Sequence, residues 1–101
     1  MADQDLYSGL IRLHVLHHAS KEKVFGLGMI HELRRHGYQI GPGTLYPLLH
    51  GLQTKGYVRS KKQVVGGKLR KAYTITPSGR RALEQAKSKV RELFDEIFED
   101  D

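Results

Sequence analysis

A chain of 101 residues without cysteine has room for one domain and one modest core, and it excludes disulfides and cysteine-ligated metal sites. The net charge of +6 is unevenly spread: residues 33–83 hold no carboxylate but eleven Lys and Arg, from Arg34 to Arg81, while Glu92, Asp95, Glu96, Glu99, Asp100 and Asp101 crowd the last ten positions. No apolar stretch approaches the roughly 20 residues that span a bilayer, and the opening Met1-Ala2-Asp3-Gln4-Asp5 is acidic rather than signal-like, so a cytoplasmic protein without membrane contact is expected.

Residues 5–20 read as a first helix. Leu6, Leu10, Leu13 and Leu16 recur at helical spacing, and Ile11 and Val15 widen the stripe enough for contacts on two sides. Residues 27–36 read as a second helix with Met29, Ile30 and Leu33 inward, closed by Gly37 where a helix end favours a left-handed residue. The third helix opens at Gly41-Pro42, since proline is tolerated at a first helical position whose N–H has no partner. Leu45, Leu48, Leu49 and Leu52 then fall at i, i+3, i+4 and i+7 and make one apolar face. Gly43, Pro47, His50 and Thr54 project oppositely, flanked by Thr44 and Tyr46, and Gly56 ends the helix. Pro47 removes one backbone hydrogen bond, an irregularity able to bend the axis.

Residues 57–64 and 68–76 read as strands joined by the turn signal Gly66-Gly67. Alternation in the second puts Leu69, Lys71, Tyr73 and Ile75 on one side and Lys68, Arg70 and Ala72 on the other. Thr76-Pro77 is a cap-then-proline helix start. The last helix, 77–98, spans roughly 33 Å at 1.5 Å per residue. Along it Leu83, Ala86, Val90, Leu93 and Ile97 recur at 3-4-3-4 spacing, with Phe94 and Phe98 beside them, in a coiled-coil-like seam. A chain this small buries only about 60–65% of its unfolded surface, so such a seam calls for a partner chain.

The expected fold is mainly α with a small two-stranded hairpin. It is a winged helix-turn-helix over residues 1–76, followed by a dimerisation helix and acidic tail over 77–101. Surfaces ordinarily mix both signs of charge, so fifty-one residues without a carboxylate point to a polyanionic partner. The second helix of a helix-turn-helix enters the major groove, about 12 Å wide, and needs an apolar inner face and an outer face able to touch base edges. Residues 42–55 meet both demands. Arg34, Arg35, Lys55, Arg59, Lys61, Lys62, Lys68, Arg70 and Lys71 stand where phosphates would lie.

The run Gly37-Tyr38-Gln39-Ile40-Gly41-Pro42-Gly43-Thr44-Leu45-Tyr46-Pro47-Leu48-Leu49, followed by Leu52, Gly56-Tyr57-Val58, Arg70-Lys71-Ala72-Tyr73-Thr74-Ile75-Thr76 and Gly79-Arg80, resembles the PadR family of bacterial transcriptional regulators. The resemblance covers residues 26–83 and implies a homodimeric repressor whose recognition helix and wing contact an inverted-repeat operator. Carried over by position, Gly43, Thr44, Tyr46 and Pro47 would lie at double-stranded DNA, with Lys68, Arg70 and Lys71 on the wing; Gln39 in the turn and His50 on the outer face of the helix are further expected DNA contacts. Leu6 and Leu10 of the first helix would join Leu83, Ala86, Val90, Leu93, Phe94 and Ile97 in the dimer interface. Gly41 stands where the family has Ser, which removes a side-chain cap, and Ala72 replaces the first Tyr of a Tyr-Tyr pair.

Other readings are weaker. His14, His17 and His18 share one helix, but no cysteine and no nearby carboxylate supports them, so neither a metal nor a cofactor is assigned. Gly26-Leu27-Gly28 lacks the third glycine of a dinucleotide fingerprint, and Gly66-Gly67-Lys68-Leu69 lacks the Ser/Thr of a phosphate loop. No Ser, His and Asp grouping suggests a nucleophile, so no enzyme is expected. Some PadR-like proteins bind small aromatic effectors between subunits. Here there is no Trp and a single helix after the wing, which leaves a separate effector pocket unsupported. The alternative is a winged-helix module for a protein or RNA partner.

Overall fold

The computed structural model describes residues 4–99; the acidic Met1-Ala2-Asp3 and Asp100-Asp101 lie outside the described residues. The order is α1 (Gln4–Lys21), β1 (Val24–Phe25), α2 (Gly26–Arg35), α3 (Pro42–Thr54), β2 (Val58–Val65), β3 (Lys68–Ile75) and α4 (Pro77–Glu99). The helices and the hairpin stand within a residue or two of where periodicity puts them. The structure adds β1, which pairs antiparallel with β3 through Val24–Tyr73 and Phe25–Ala72, so the sheet runs β1-β3-β2. Two residues carry no periodicity, so this strand leaves no pattern in the sequence.

Backbone chemistry fixes the boundaries. Gly37 (φ 92°) ends α2 and Gly56 (φ 81°) ends α3, each in the left-handed region that glycine adopts without a Cβ penalty. Gly66 (φ 57°) and Gly67 (φ 80°) both take positive φ, as a two-residue type I′ hairpin turn requires. Gly41 caps α3 in an extended conformation without a side-chain hydrogen bond, and Pro42 follows at the first position.

One core joins all the helices to the hairpin. Val15 of α1, Leu33 of α2, Leu45 and Leu49 of α3 and Val58 of β2 are its most deeply buried side chains. Each such side chain contributes about 1.5–3 kcal/mol relative to an exposed one. The first turns of α4 join in through Gly79 and Leu83. Thr76 ties three segments together at this point. Its hydroxyl accepts from the Gly79 N–H (3.0 Å) and donates to the Gly56 carbonyl, while its own N–H donates to the Tyr57 carbonyl (3.0 Å). Among the described residues no helix is long and apolar enough to cross a membrane.

Two glycines inside helices should respond oppositely to alanine. A Cβ at Gly79 would overlap the Tyr57 carbonyl oxygen and the Ile75 side chain, whereas one at Gly51 meets nothing within 4 Å. Gly79→Ala should lose about 1–3 kcal/mol through overpacking, and Gly51→Ala should gain about 0.5–1 kcal/mol in helix propensity. Urea denaturation of the two variants checks both signs.

Candidate nucleic-acid interface

Burial of Leu45, Leu48, Leu49 and Leu52 turns the other side of α3 outward, and Gly43, Pro47, His50 and Thr54 are exposed there. Thr44, on the flank, is half-buried. The helix runs unbroken through Pro47, whose missing N–H leaves the Gly43 carbonyl without its i+4 donor on that exposed side. Tyr46 is not simply outward-pointing. It stays 44% exposed, yet its ring lies over Gly26 so closely that any Cβ there would overlap it. Gly26, which carries no meaning as part of a dinucleotide fingerprint, is the seat on which α3 meets the start of α2.

The hairpin brings the wing residues round to the same side. Tyr46 and His50 of α3, Gly26 and Leu27 of α2, and Arg70, Lys71 and Tyr73 of β3 line one cleft of about 370 Å³. Burial, and then the nearby Tyr46, push the Tyr73 phenol up from its ordinary value, so it stays a neutral hydrogen-bonding group. Lys68 sits at the turn and Gln39 in the loop before α3; both are exposed and outside this cleft. Across the ladder Lys62 stands directly opposite Lys71, and Gln63 opposite Arg70. Directly opposed like charges destabilise a sheet by up to about 1 kcal/mol. Among the described residues the ion pairs found involve Glu32 and Glu84, and none reaches the wing.

Two of the cations assigned to phosphates are engaged within the chain. Arg35 pairs with Glu32 at 2.7 Å, and the Arg34 Nε donates to the Ile40 carbonyl at 2.9 Å, bracing the turn ahead of α3. Sequence spacing hid this because Glu32 lies one turn before Arg35, just outside the acid-free stretch. Lys23 donates to Gln63 at 3.0 Å, a link between the segment before β1 and the wing that no local pattern announces.

On the opposite side the seam of α4 divides. Leu83, expected at the dimer interface, is only 7% exposed and packs in the chain's own core, while also lining the groove between α1 and α4. Ala86 is half-buried, and Val90, Leu93, Phe94, Ile97 and Phe98 are exposed, as are Leu6 and Leu10 on α1. The break falls there because α1 covers only the first turns of α4. The premise that no carboxylate lies near the α1 histidines is also overturned. Packing of α1 on α2 sets Glu32 Oε2 3.6 Å from His18 Nε2, and the same oxygen is 2.9 Å from His36 Nε2. The His14 ring packs against His36 with centroids 4.9 Å apart, and both His14 and His17 line the groove between α1 and α4.

Two helices joined by a short turn, a third helix behind them and a basic hairpin beside the outer helix define a winged helix-turn-helix protein. Residues 15–85 match the transcriptional regulator PadR-like family, and the chain belongs to that family. It is 46% identical over 88 residues to the transcriptional regulator Rv3488 of Mycobacterium tuberculosis, covering 87% of this chain and 82% of the relative. A PadR family transcriptional regulator from Eggerthella lenta superposes with a TM-score of 0.82 at 30% identity, over 94% of this chain and 84% of that one. A PadR-like regulator from Bacillus cereus superposes at 0.86 and 26% identity, over 94% of each chain. The chain is thus a transcriptional regulator and not an enzyme.

The histidine side of the molecule gives stability a definite pH dependence. Burial, then the neighbouring imidazoles of His36 and His18, hold His14 below its ordinary value; burial, then His18, do the same for His17. Glu32 is held at about 2, first by the hydrogen bond from Arg35 and then by that from His36. Where the unfolded chain binds more protons, stability falls as pH falls. Two windows follow: one opening below about 6.5, where the unfolded imidazoles protonate first, and one below about 4.5, where the unfolded carboxylate does. Urea midpoints at pH 7.5, 5.5 and 3.5 should decline stepwise, and His14→Gln should flatten the upper step alone.

Proposed function

We propose that the chain binds double-stranded DNA sequence-specifically as a homodimer, occupies an inverted-repeat operator and acts as a cytoplasmic repressor. The observation that carries this reading is the convergence of an uncharged, exposed α3 face with a wing whose cations find no carboxylate partner among the described residues. Gly43, Thr44, Tyr46, Pro47 and His50 serve base readout, with Gln39 at the approach to the helix. Lys68, Arg70 and Lys71 serve the phosphates, which position the protein without specifying sequence. The Lys62–Lys71 pairing supports the assignment, because a phosphate between two opposed ammonium groups relieves their repulsion.

Pairing rests on the far side of the molecule. Leu10 and Leu13 of α1 and Ala86, Val90 and Phe94 of α4 line an open groove of about 740 Å³, continuous with exposed Leu93, Ile97 and Phe98. We assign its occupant as α4 of a second copy, since an isologous interface buries the same stripe twice. Two recognition helices would then meet half-sites one helical turn apart, about 34 Å. In this arrangement residues 1–76 are the reading head and 77–101 the pairing arm.

Leu93→Glu with Ile97→Glu should convert the dimer to a folded monomer, read by light scattering with circular dichroism as the check on folding. A folded monomer for the parent chain would sink the pairing assignment.

Helix and wing variants should fail differently on DNA. His50→Ala, and Tyr46→Phe, which keeps the ring over Gly26, should each cost about 1–3 kcal/mol on the preferred duplex and relax discrimination. Lys68→Ala and Arg70→Ala should weaken all duplexes alike and lower the salt slope by about one per phosphate contact, doubled in a dimer. Affinities for one selected and one scrambled duplex at several salt concentrations decide the matter. Loss of discrimination in the wing variants alone would reverse the two assignments, and tighter binding to RNA or to a protein would overturn the reading.

A further inference from the structure

The unexplained feature is a knot of imidazoles away from the DNA-facing side. His14 and His18, one turn apart on α1, face His36 at the end of α2, and a ring nitrogen from each lies within 4.8 Å of the others. His14 and His18 are half-buried. The ring contacts and the Glu32 hydrogen bond explain His36, but not why three imidazoles turn a nitrogen toward one point. What it offers is three neutral nitrogen donors converging from two helices.

We propose that His14, His18 and His36 form a binding site for a zinc-class divalent transition metal, with the Glu32 carboxylate as the outer partner that orients two of the three rings. Zinc bound at about 2.0–2.1 Å in tetrahedral geometry sets its ligand nitrogens roughly 3.3–3.4 Å apart. Nitrogens already within 4.8 Å of one another need to close by only about 1.5 Å or less to reach that spacing. Imidazole donors suit zinc, nickel, cobalt and copper, and the absence of cysteine removes competition from softer ligands. Glu32 Oε2 lies 2.9 Å from His36 Nε2 and 3.6 Å from His18 Nε2, with Arg35 fixing the carboxylate from outside at 2.7 Å, so ligation through the Nδ1 atoms of these two rings would leave Glu32 as their outer partner. Carboxylates hydrogen-bonded to metal-ligating imidazoles hold ring orientation and raise ligand basicity. Three protein ligands leave a fourth position for water.

The location gives the ion a consequence. It would fasten α1, which carries part of the exposed pairing surface, to α2, the first helix of the helix-turn-helix. Resting on the operator-binding reading above, metal occupancy resets the angle between α1 and the helix-turn-helix and so changes operator affinity.

The test uses the untagged full chain, first without DNA. Zinc titrated against a chromophoric chelator should saturate at one ion per chain and raise the melting temperature, and cobalt in its place should give the intense visible absorption of a tetrahedral site. His18→Asn and His36→Asn, at half-buried and exposed positions outside the core, should each abolish saturable uptake. Glu32→Gln should weaken it by about 10–100-fold. His31→Asn, on the exposed side of α2 and outside the cluster, should change nothing. No saturable uptake, uptake surviving in the His18→Asn, His36→Asn double variant, or equal loss in His31→Asn would overturn the site. Operator affinity is then measured with and without zinc, and a change of about fivefold or more is expected for a coupled effector. Zinc uptake with unchanged operator affinity would overturn the coupling. Failure of the metal-free chain to bind any duplex would count against the operator reading and leave the metal titration standing.

Discussion

The position of α3 governs the rest of the molecule, and four leucines set it. Leu45, Leu48, Leu49 and Leu52 are all buried against side chains of α1, α2 and β2, so α3 cannot roll about its axis without exposing one of them. At about 1.5–3 kcal/mol for each leucine, such a rotation costs a sizeable part of a small domain's stability. Every outward side chain on the helix inherits its direction from that constraint. The left-handed glycines at 37 and 56 and the Thr76 hydrogen bonds then stop the chain on either side from contesting it.

The outer surface is arranged at some expense to the free protein. Lys62 faces Lys71 across the ladder, and Val64 and Leu69 face each other while both are largely exposed at the tip of the hairpin. Stability alone would favour alternating charges and a polar tip. Both departures fall on the one hairpin, which sets opposed like charges beside exposed apolar side chains. The braced turn before α3 shows the complementary choice. There Arg34 and Arg35 are committed to Ile40 and Glu32, so rigidity of the approach to the recognition helix takes precedence over two further cations at its edge.

What was legible in the sequence was whatever has a period or a punctuation mark. The apolar faces of α2 and α3, the Gly66-Gly67 turn and the Thr76-Pro77 start are all local patterns, and the structure places them where those patterns say. Contacts between elements left no such trace. β1 is two residues long; Gly26 acquires its meaning only when the Tyr46 ring lies over it; Leu83 and Val90 look alike along one helix until α1 covers the first and not the second. Glu32 illustrates the point most sharply. In sequence it marks the edge of a carboxylate-free stretch, while in space it sits between two imidazoles contributed by different helices and an arginine of its own.

The first helix shows how one short element serves several ends without conflict. Its 18 residues make five turns, enough to present three separate faces. Ile11, Val15, Leu16 and Ala19 face the core; Leu6 and Leu10 lie exposed beside the apolar stripe of α4; His14 and His18 turn toward the end of α2. Because the core face is fixed by burial, the other two cannot move independently. Any group that binds the histidine face or the leucine face therefore acts on a rigid lever, whose other arm is the packing between α1 and the helix-turn-helix. The buried leucines that hold α3 in register belong to the same core that α1 packs against, so the two helices are fixed relative to each other.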